Sequence, residues 1–208
     1  MQEDRYYRRA REKRANVLLY GFVRVTFQAF FLVYFRFKRI GREHIPKRGP
    51  VIIASNHRSF LDPFVIACMA RRPMYYVAKK EIFLYNRLLG WALAALGAFP
   101  VDRGAGDSDF IDTAKAILAR GDIVLIFPEG TRIRPGALGT PHRGVGRLAL
   151  ETGAPVVPVV WAMRTGSDRL ETKANGAARS APFGVSGTEL NDSRLILSGF
   201  IPASVITR

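Results

Sequence analysis

Asn56, His57 and Asp62 stand together in the run Asn56-His57-Arg58-Ser59-Phe60-Leu61-Asp62-Pro63. Histidine exchanges a proton near neutral pH. A carboxylate within hydrogen-bonding reach fixes its tautomer and stabilises the cation that forms when the ring takes a proton. The run therefore holds a candidate general base, His57, and a candidate orienting group, Asp62. It follows Val51-Ile52-Ile53-Ala54, an apolar stretch that reads as a buried strand. The pair thus falls at a strand end, where open α/β sheets bind their ligands. The same residues have a structural alternative. Asp62 before Pro63 suits a helix start, with Asp62 as N-cap and Pro63 in the first turn. Equally, Ser59 can cap the helix while Asp62 closes a capping box.

A second run, Phe127-Pro128-Glu129-Gly130-Thr131-Arg132, ends the most apolar strand of the chain. Gly130 permits a tight turn and a close backbone approach. Arg132 offers a planar fork suited to phosphate, and the Thr131 hydroxyl and turn amides can join it. Glu129 has two candidate roles, receiving a substrate hydroxyl or holding the arginine. The alternative is a Pro-Gly turn with a surface arginine. A third run, Gly97-Ala98-Phe99-Pro100-Val101-Asp102-Arg103, also ends a strand in charge. There Arg103 either reinforces an anion site or pairs with Asp102. Lys79 follows another strand and can draw a phosphate inward. Pro158 within Val157-Pro158-Val159 marks an edge or bend that can wall an apolar pocket. His44 and His142 have no carboxylate at suggestive spacing and read as structural or exposed.

Groups of this kind need a framework, and composition sets its limits. The 208 residues suit one compact domain, and 48% hydrophobic content supplies its core. The excess of 32 Lys and Arg over 17 Asp and Glu gives +15, which calls for anionic partners. Arg5, Arg8, Arg9, Arg11, Lys13 and Arg14 precede the apolar stretch 15–35, and Arg36, Lys38, Arg39, Arg42, Lys47 and Arg48 follow it. An apolar segment between cations suits an anionic membrane surface better than a DNA groove. As a helix this stretch would span roughly the 30 Å of a bilayer core. Arg24 in its middle would cost at least about 2.5 kcal/mol facing lipid, so a helix in the interface or packed on the domain is expected. A cleaved signal peptide is not expected. Cys68, the sole cysteine, reads as a small core residue.

Strands are expected over 36–45 at an edge, then 50–55, 74–78, 98–101, 123–127 and 155–160. Helices are expected near 63–71, 85–96, 107–119 and 143–152. This alternation makes the chain an α/β protein with a mostly parallel central sheet flanked by helices. The boundaries are 1–35 for the N-terminal membrane-associating helix, 36–163 for the α/β domain and 164–208 for a loop-rich tail. Within that tail only Arg194 to Ile201 has strand character. The apolar residues Phe83, Leu84, Leu88, Leu89, Trp91 and Leu96 are expected mostly in the core, some lining an acyl channel.

Four blocks in order resemble the glycerolipid acyltransferase family, typified by 1-acyl-glycerol-3-phosphate acyltransferases. Asn56, His57 and Asp62 are similar to its Asn-His-x-x-x-x-Asp block. Gly97, Phe99, Asp102 and Arg103 resemble Gly-x-Phe-x-x-Asp-Arg. Residues 127–132 match Phe-Pro-Glu-Gly-Thr-Arg in full. Val156, Pro158 and Val159 resemble Val-x-Pro-Val. Arg143-Gly144 stands where the family often has Lys-Gly, and the tail does not resemble the family's closing strands.

The resemblance implies transfer of a fatty acyl group from acyl-CoA or acyl-carrier protein to the free hydroxyl of 1-acyl-glycerol-3-phosphate, giving phosphatidic acid. It implies His57 as base, Asp62 as its orienter and Arg132 with Glu129 and Gly130 on the acceptor phosphate, supported by Arg103. Amides at the helix start after Asp62 are candidate oxyanion donors. No cofactor and no metal is expected, since the acyl thioester is a co-substrate, and there is no Gly-x-Ser-x-Gly elbow. Expected partners are lysophospholipid, acyl thioester and an anionic membrane surface on the cytoplasmic face, without nucleic acid. The alternatives are another lipid acceptor, a lipid thioesterase, or a non-catalytic basic module. The oligomeric state is not legible.

Overall fold

The structure, a computed structural model, describes residues 2–101, 108–134, 139–163 and 195–198. Its sheet is built from β1 (Lys38–Arg39), β2 (Val51–Ser55), β3 (Met74–Lys79), β4 (Ala98–Val101), β5 (Ile123–Ile126), β6 (Val156–Met163) and β7 (Leu195–Ser198). The spatial order is β1-β7-β6-β2-β5-β3-β4. The five strands from β6 to β4 are all parallel. β7 runs antiparallel to β6, and β1 pairs parallel with β7.

Strands buried on both faces need apolar residues at every position, which is why β5 reads Ile-Val-Leu-Ile without a polar break. Alternate residues feed two cores. Val51, Ile53, Met74, Tyr76, Ile123 and Leu125 face one side and meet α3 (Asp62–Ala67) and α2 (Val17–Tyr34). Ile52, Tyr75, Val124 and Ile126 face the other and meet α1 (Gln2–Glu12), α6 (Ser108–Ala119) and α7 (Gly144–Thr152). Because the strands are parallel, the segments leaving β2, β3 and β5 emerge on one rim.

The N-terminal segment forms two helices. α1 buries Tyr6, Tyr7 and Ala10, and Arg11 bonds Thr113 and Asp109 on α6. Asn16 caps α2 by accepting from the amides of Leu18 and Leu19. One flank of α2 packs on the domain through Tyr20, Phe31 and a stack of Phe27 on Phe64 at 4.5 Å. Arg24 donates to the Ala70 carbonyl at 3.1 Å, so the central cation finds a partner on the domain. The opposite flank, with Leu18, Phe22, Val25 and Val33, is exposed. By length and composition α2 could cross a membrane, and Tyr20 and Phe31 are the residues it buries on the domain.

Several boundaries differ from expectation. The 36–45 strand shrinks to β1, because Gly41 takes a left-handed turn (φ 74°) into a short 3₁₀ turn, Arg42–His44. The expected 85–96 helix is α5 (Arg87–Ala95), and a short helix not expected from the sequence, α4 (Lys80–Tyr85), precedes it. Asn86 between them is extended, and its side chain caps α5. Leu84, Leu88, Leu89 and Trp91 are therefore not core. They are 49%, 70%, 41% and 52% exposed, because α5 turns Gly90, Leu93, Ala94 and Ala95 inward instead. Phe83 is buried and Leu96 packs on the core, as expected. Pro158 lies opposite Ala54 of β2, while β7 covers β6 only from Val160 onward. Among the described residues no strand pairs with Pro158 on the β7 side, a setting that a residue without an N–H tolerates.

Candidate active site

Asp62 opens α3 with its side chain fully buried. Its Oδ2 accepts from His57 Nδ1 at 2.7 Å, the Arg58 amide at 2.6 Å and the Ser59 amide at 2.9 Å. Oδ1 also accepts from the Ser59 amide, at 3.0 Å, while the Ser59 hydroxyl accepts from the Leu61 amide. The base-orienting reading of Asp62 is realised, but the N-cap reading is not: Asp62 is the first helical residue, behind Leu61, and α3 has no side-chain cap bond. The carboxylate holds the imidazole and ties down the Ser59 amide of the loop before the helix, which is only half of a capping box, because the Asp62 amide donates to the Ser59 carbonyl and not to its hydroxyl. Since a carboxylate only accepts, Nδ1 of His57 carries the proton and Nε2 keeps its lone pair. The His57 side chain is 12% exposed.

The turn after β5 is fastened to this loop at three points. The Phe127 ring stacks on the His57 ring, with centroids 4.1 Å apart and planes 17° from parallel. A Glu129 carboxylate oxygen accepts from the His57 amide at 3.0 Å, and the Ile133 amide donates to the His57 carbonyl at 2.8 Å. β2 and β5 are neighbours in register, with Ala54 opposite Ile126, so their outgoing segments start side by side. Gly130 sits at φ +64°, and a side chain there would come within 3.1 Å of the His142 ring; only glycine fits without displacement.

A cleft of about 120 Å³ opens beside these groups, lined by His57, Phe127, Arg132 and Lys79 together with apolar wall residues that include Phe60, Phe64 and Tyr76. The structure thus places the imidazole and the guanidinium in one cavity at the sheet rim. Thr131 and Arg132 are exposed in the turn. Among the described residues Arg132 has no ion pair; Glu129 bonds the His57 amide rather than the arginine. Lys79 pairs with Glu81 at 3.1 Å, and both are exposed. Asp102 and Arg103 lie outside the described residues. Gly97 of the same block serves the backbone. It sits at φ +92°, and a side chain there would lie 2.8 Å from the Met74 carbonyl.

The amides after Asp62 are already engaged, so the expected oxyanion donors are not found there. Pro63 has no N–H, and the Phe64 and Val65 amides both donate to the Leu61 carbonyl at 3.0 Å. Pro158 is not among the cleft's lining residues. Sequence reasoning gave Phe127 and Tyr76 no role at the site. Phe127 is the platform under the base, legible only as an aromatic ending an apolar strand. Tyr76 is a buried wall residue whose hydroxyl has no hydrogen-bond partner among the described residues, and burial pushes its phenol ionisation up.

Comparison with known proteins places this architecture. A 1-acyl-sn-glycerol-3-phosphate acyltransferase from Pseudomonas aeruginosa is 39% identical over 127 residues, covering 60% of this chain and 48% of that protein. A lyso-ornithine lipid O-acyltransferase from the same organism is 36% identical over 118 residues, covering 56% of this chain and 45% of the relative. The chain thus spans about half the length of these relatives. The crystal structure of the 1-acyl-sn-glycerophosphate (LPA) acyltransferase PlsC from Thermotoga maritima superposes with a TM-score of 0.53 at 24% identity, over 68% of this chain and 56% of that one, and shares the fold. The Acyltransferase family pattern matches residues 36–162, which takes in β1 through nearly all of β6 and every group of the cleft. With more than half of its length under that pattern, the chain belongs to the Acyltransferase family.

Proposed function

We propose that the protein transfers a fatty acyl group from an acyl thioester, acyl-CoA or acyl-carrier protein, to the free hydroxyl of a lysophospholipid. The acceptor we favour is 1-acyl-glycerol-3-phosphate, which would give phosphatidic acid. The observation that carries the reading is the shared cleft. An imidazole held by a buried carboxylate opens into the same cavity as a guanidinium that has no ion pair among the described residues.

In this reading Nε2 of His57 takes the proton of the acceptor hydroxyl as its oxygen attacks the thioester carbon. A tetrahedral oxyanion forms and collapses, the C–S bond breaks, and the imidazolium gives its proton to the leaving thiolate, which restores the base. Asp62 keeps Nδ1–H directed away from the substrate and stabilises the transient cation. Arg132 receives the acceptor phosphate, with Lys79, Thr131, the Gly130 turn and Arg103 assigned to the same anion. Glu129 acts here as the strap that sets the His57 backbone. The reaction needs no cofactor. The apolar flank of α2 and the basic charge support association with an anionic membrane surface, which we assign to the cytoplasmic face.

The lyso-ornithine relative favours keeping a second acceptor class, an amino-acid lipid, under test. Radiolabelled acyl-CoA is incubated with lysophosphatidic acid and competing lyso-lipids, wild type against His57→Ala. Labelled phosphatidic acid from the wild type alone is expected. Unchanged turnover by the folded variant would remove His57 as base, and thioester loss without product lipid would make the protein a thioesterase.

A further inference from the structure

The far end of α3 carries a second concentration of positive charge. α3 is about 9 Å long, and Asp62 stands at its other end. Past its carboxyl end, arginines from three elements cover successive carbonyls. Arg39 donates to Cys68 O at 3.2 Å, Arg42 to Met69 O at 2.9 Å and Arg24 to Ala70 O at 3.1 Å. Arg39 also bonds Gln28 Oε1 on α2 at 3.1 Å. Arg71 follows directly in the chain and is exposed. The Arg42 guanidinium is held below its ordinary range, first by burial and then by Arg39, Arg71 and Arg24.

Helix-end carbonyls account for only part of this. A helix terminus presents about half a negative charge, against four full positive charges here. Among the described residues none of the four arginines has an ion pair with a carboxylate. Their guanidiniums carry far more N–H donors than these bonds use. The bonds fix the cluster in place, so an arriving anion finds donors already oriented and relieves repulsion already present. Arg24 and Gln28 belong to α2, whose other flank exposes Phe22, Val25 and Val33. A phosphate bound here would lie on the domain side of a helix whose far side is apolar, so charge and apolar surface are about one helix diameter apart, within the reach of a single phospholipid.

We propose that Arg24, Arg39, Arg42 and Arg71 form a binding site for the headgroup phosphate of an anionic phospholipid, separate from the acceptor site at Arg132. The proposal rests on the reading that α2 lies against lipid.

The test is co-sedimentation of the full chain with phosphatidylcholine vesicles, with and without added phosphatidylglycerol. Wild type binds both, and the anionic lipid tightens binding. Arg71→Gln, which breaks no bond among the described residues, reduces that tightening about fivefold, the effect of one arginine at an anionic surface. Arg39→Gln/Arg42→Gln reduces it by roughly 25-fold on the same scale, and neither change alters binding to phosphatidylcholine alone. Arg8→Gln, an exposed change on α1 of equal net charge, has a much smaller effect. Acyl transfer to a detergent-dispersed acceptor stays at the wild-type rate in the Arg71 variant. Equal losses in the Arg8 and Arg71 variants, or no loss in the Arg71 variant, overturn the site. If the double variant does not fold, Arg71 decides alone. Inorganic phosphate that raises the wild-type melting temperature through this cluster and abolishes the anionic preference would make free phosphate the ligand and overturn the lipid assignment. A wild type that binds no vesicle refutes the α2 reading itself, a separate failure.

Discussion

Replacing Asp62 by Asn separates its two duties. The carboxylate is fully buried and accepts from the imidazole and two backbone amides at 2.6 to 3.0 Å. Asparagine keeps the shape and one acceptor oxygen but loses the charge. A charge-assisted hydrogen bond contributes about 1.5–3 kcal/mol and a neutral one about 0.5–1.5. With about 1 kcal/mol lost at each of three donors, the fold is expected to lose about 3 kcal/mol. For a chain of this size that lowers the melting temperature by roughly 6–12 °C. The effect on turnover is larger. Without the anion, the imidazolium formed in the transition state is unpaired and the wrong tautomer becomes accessible. The equivalent change in a serine-protease triad lowers kcat about 10⁴-fold, or about 5.4 kcal/mol. We expect a loss of roughly 10³–10⁴-fold on the same scale. The assay is the initial rate of acyl transfer per folded molecule, below both melting transitions, alongside thermal unfolding by circular dichroism. A lowered melting temperature with unchanged turnover would show that Asp62 only ends a loop and starts a helix, and the catalytic reading of the pair would fall.

Arg132→Ala is expected to raise the KM for a phosphate-bearing acceptor by about tenfold or more on the scale of a lost charged contact, while the thioester KM holds; steady-state kinetics with each substrate varied will tell. Tyr76→Phe removes a buried hydroxyl without a partner among the described residues, so the melting temperature should rise by about 2–4 °C, the equivalent of about 1 kcal/mol, and a fall would mean the hydroxyl has a partner. Burial pushes the Cys68 thiol from 9.0 to about 11, while nearby Arg39, Arg24 and Arg42 pull it the other way. The thiolate is the reactive form, so native protein should be alkylated by iodoacetamide at pH 8 about a hundredfold more slowly than unfolded protein, with the rate climbing as pH approaches 11. Equal rates in the native and unfolded states would contradict the buried placement.

The sheet was readable because strands covered on both faces write themselves as unbroken apolar runs. Ile123 to Ile126 and Val51 to Ala54 needed no context. Their ends marked the rim, and parallel pairing brought His57 and Arg132 to one cleft. The helix at 85–96 was readable and is α5, but α4 before it was not, because six residues are too few to show a helical period and extended Asn86 separates it from the helix it caps. The outward turn of Leu84 and Leu88 was equally hidden. Which flank of a helix meets the core is set by neighbours, and here Gly90, Leu93, Ala94 and Ala95 fill the space. Glu129 illustrates a further limit. Its partner is an amide 72 positions away, and nothing local distinguishes that contact from a bond to Arg132 three residues on. The amides beyond Asp62 fit an oxyanion role by position, yet the first turn of α3 itself consumes them.

The triple fastening of the turn at 127–133 to the His57 loop makes the two segments a single mechanical part. Transplanting either one from a homologue with a different acceptor preference would import mismatched fasteners and fail, whereas moving both as a cassette preserves the joint. Changes in acceptor choice during divergence would then have to pass through paired substitutions, with the intermediate sequences less active than either end point.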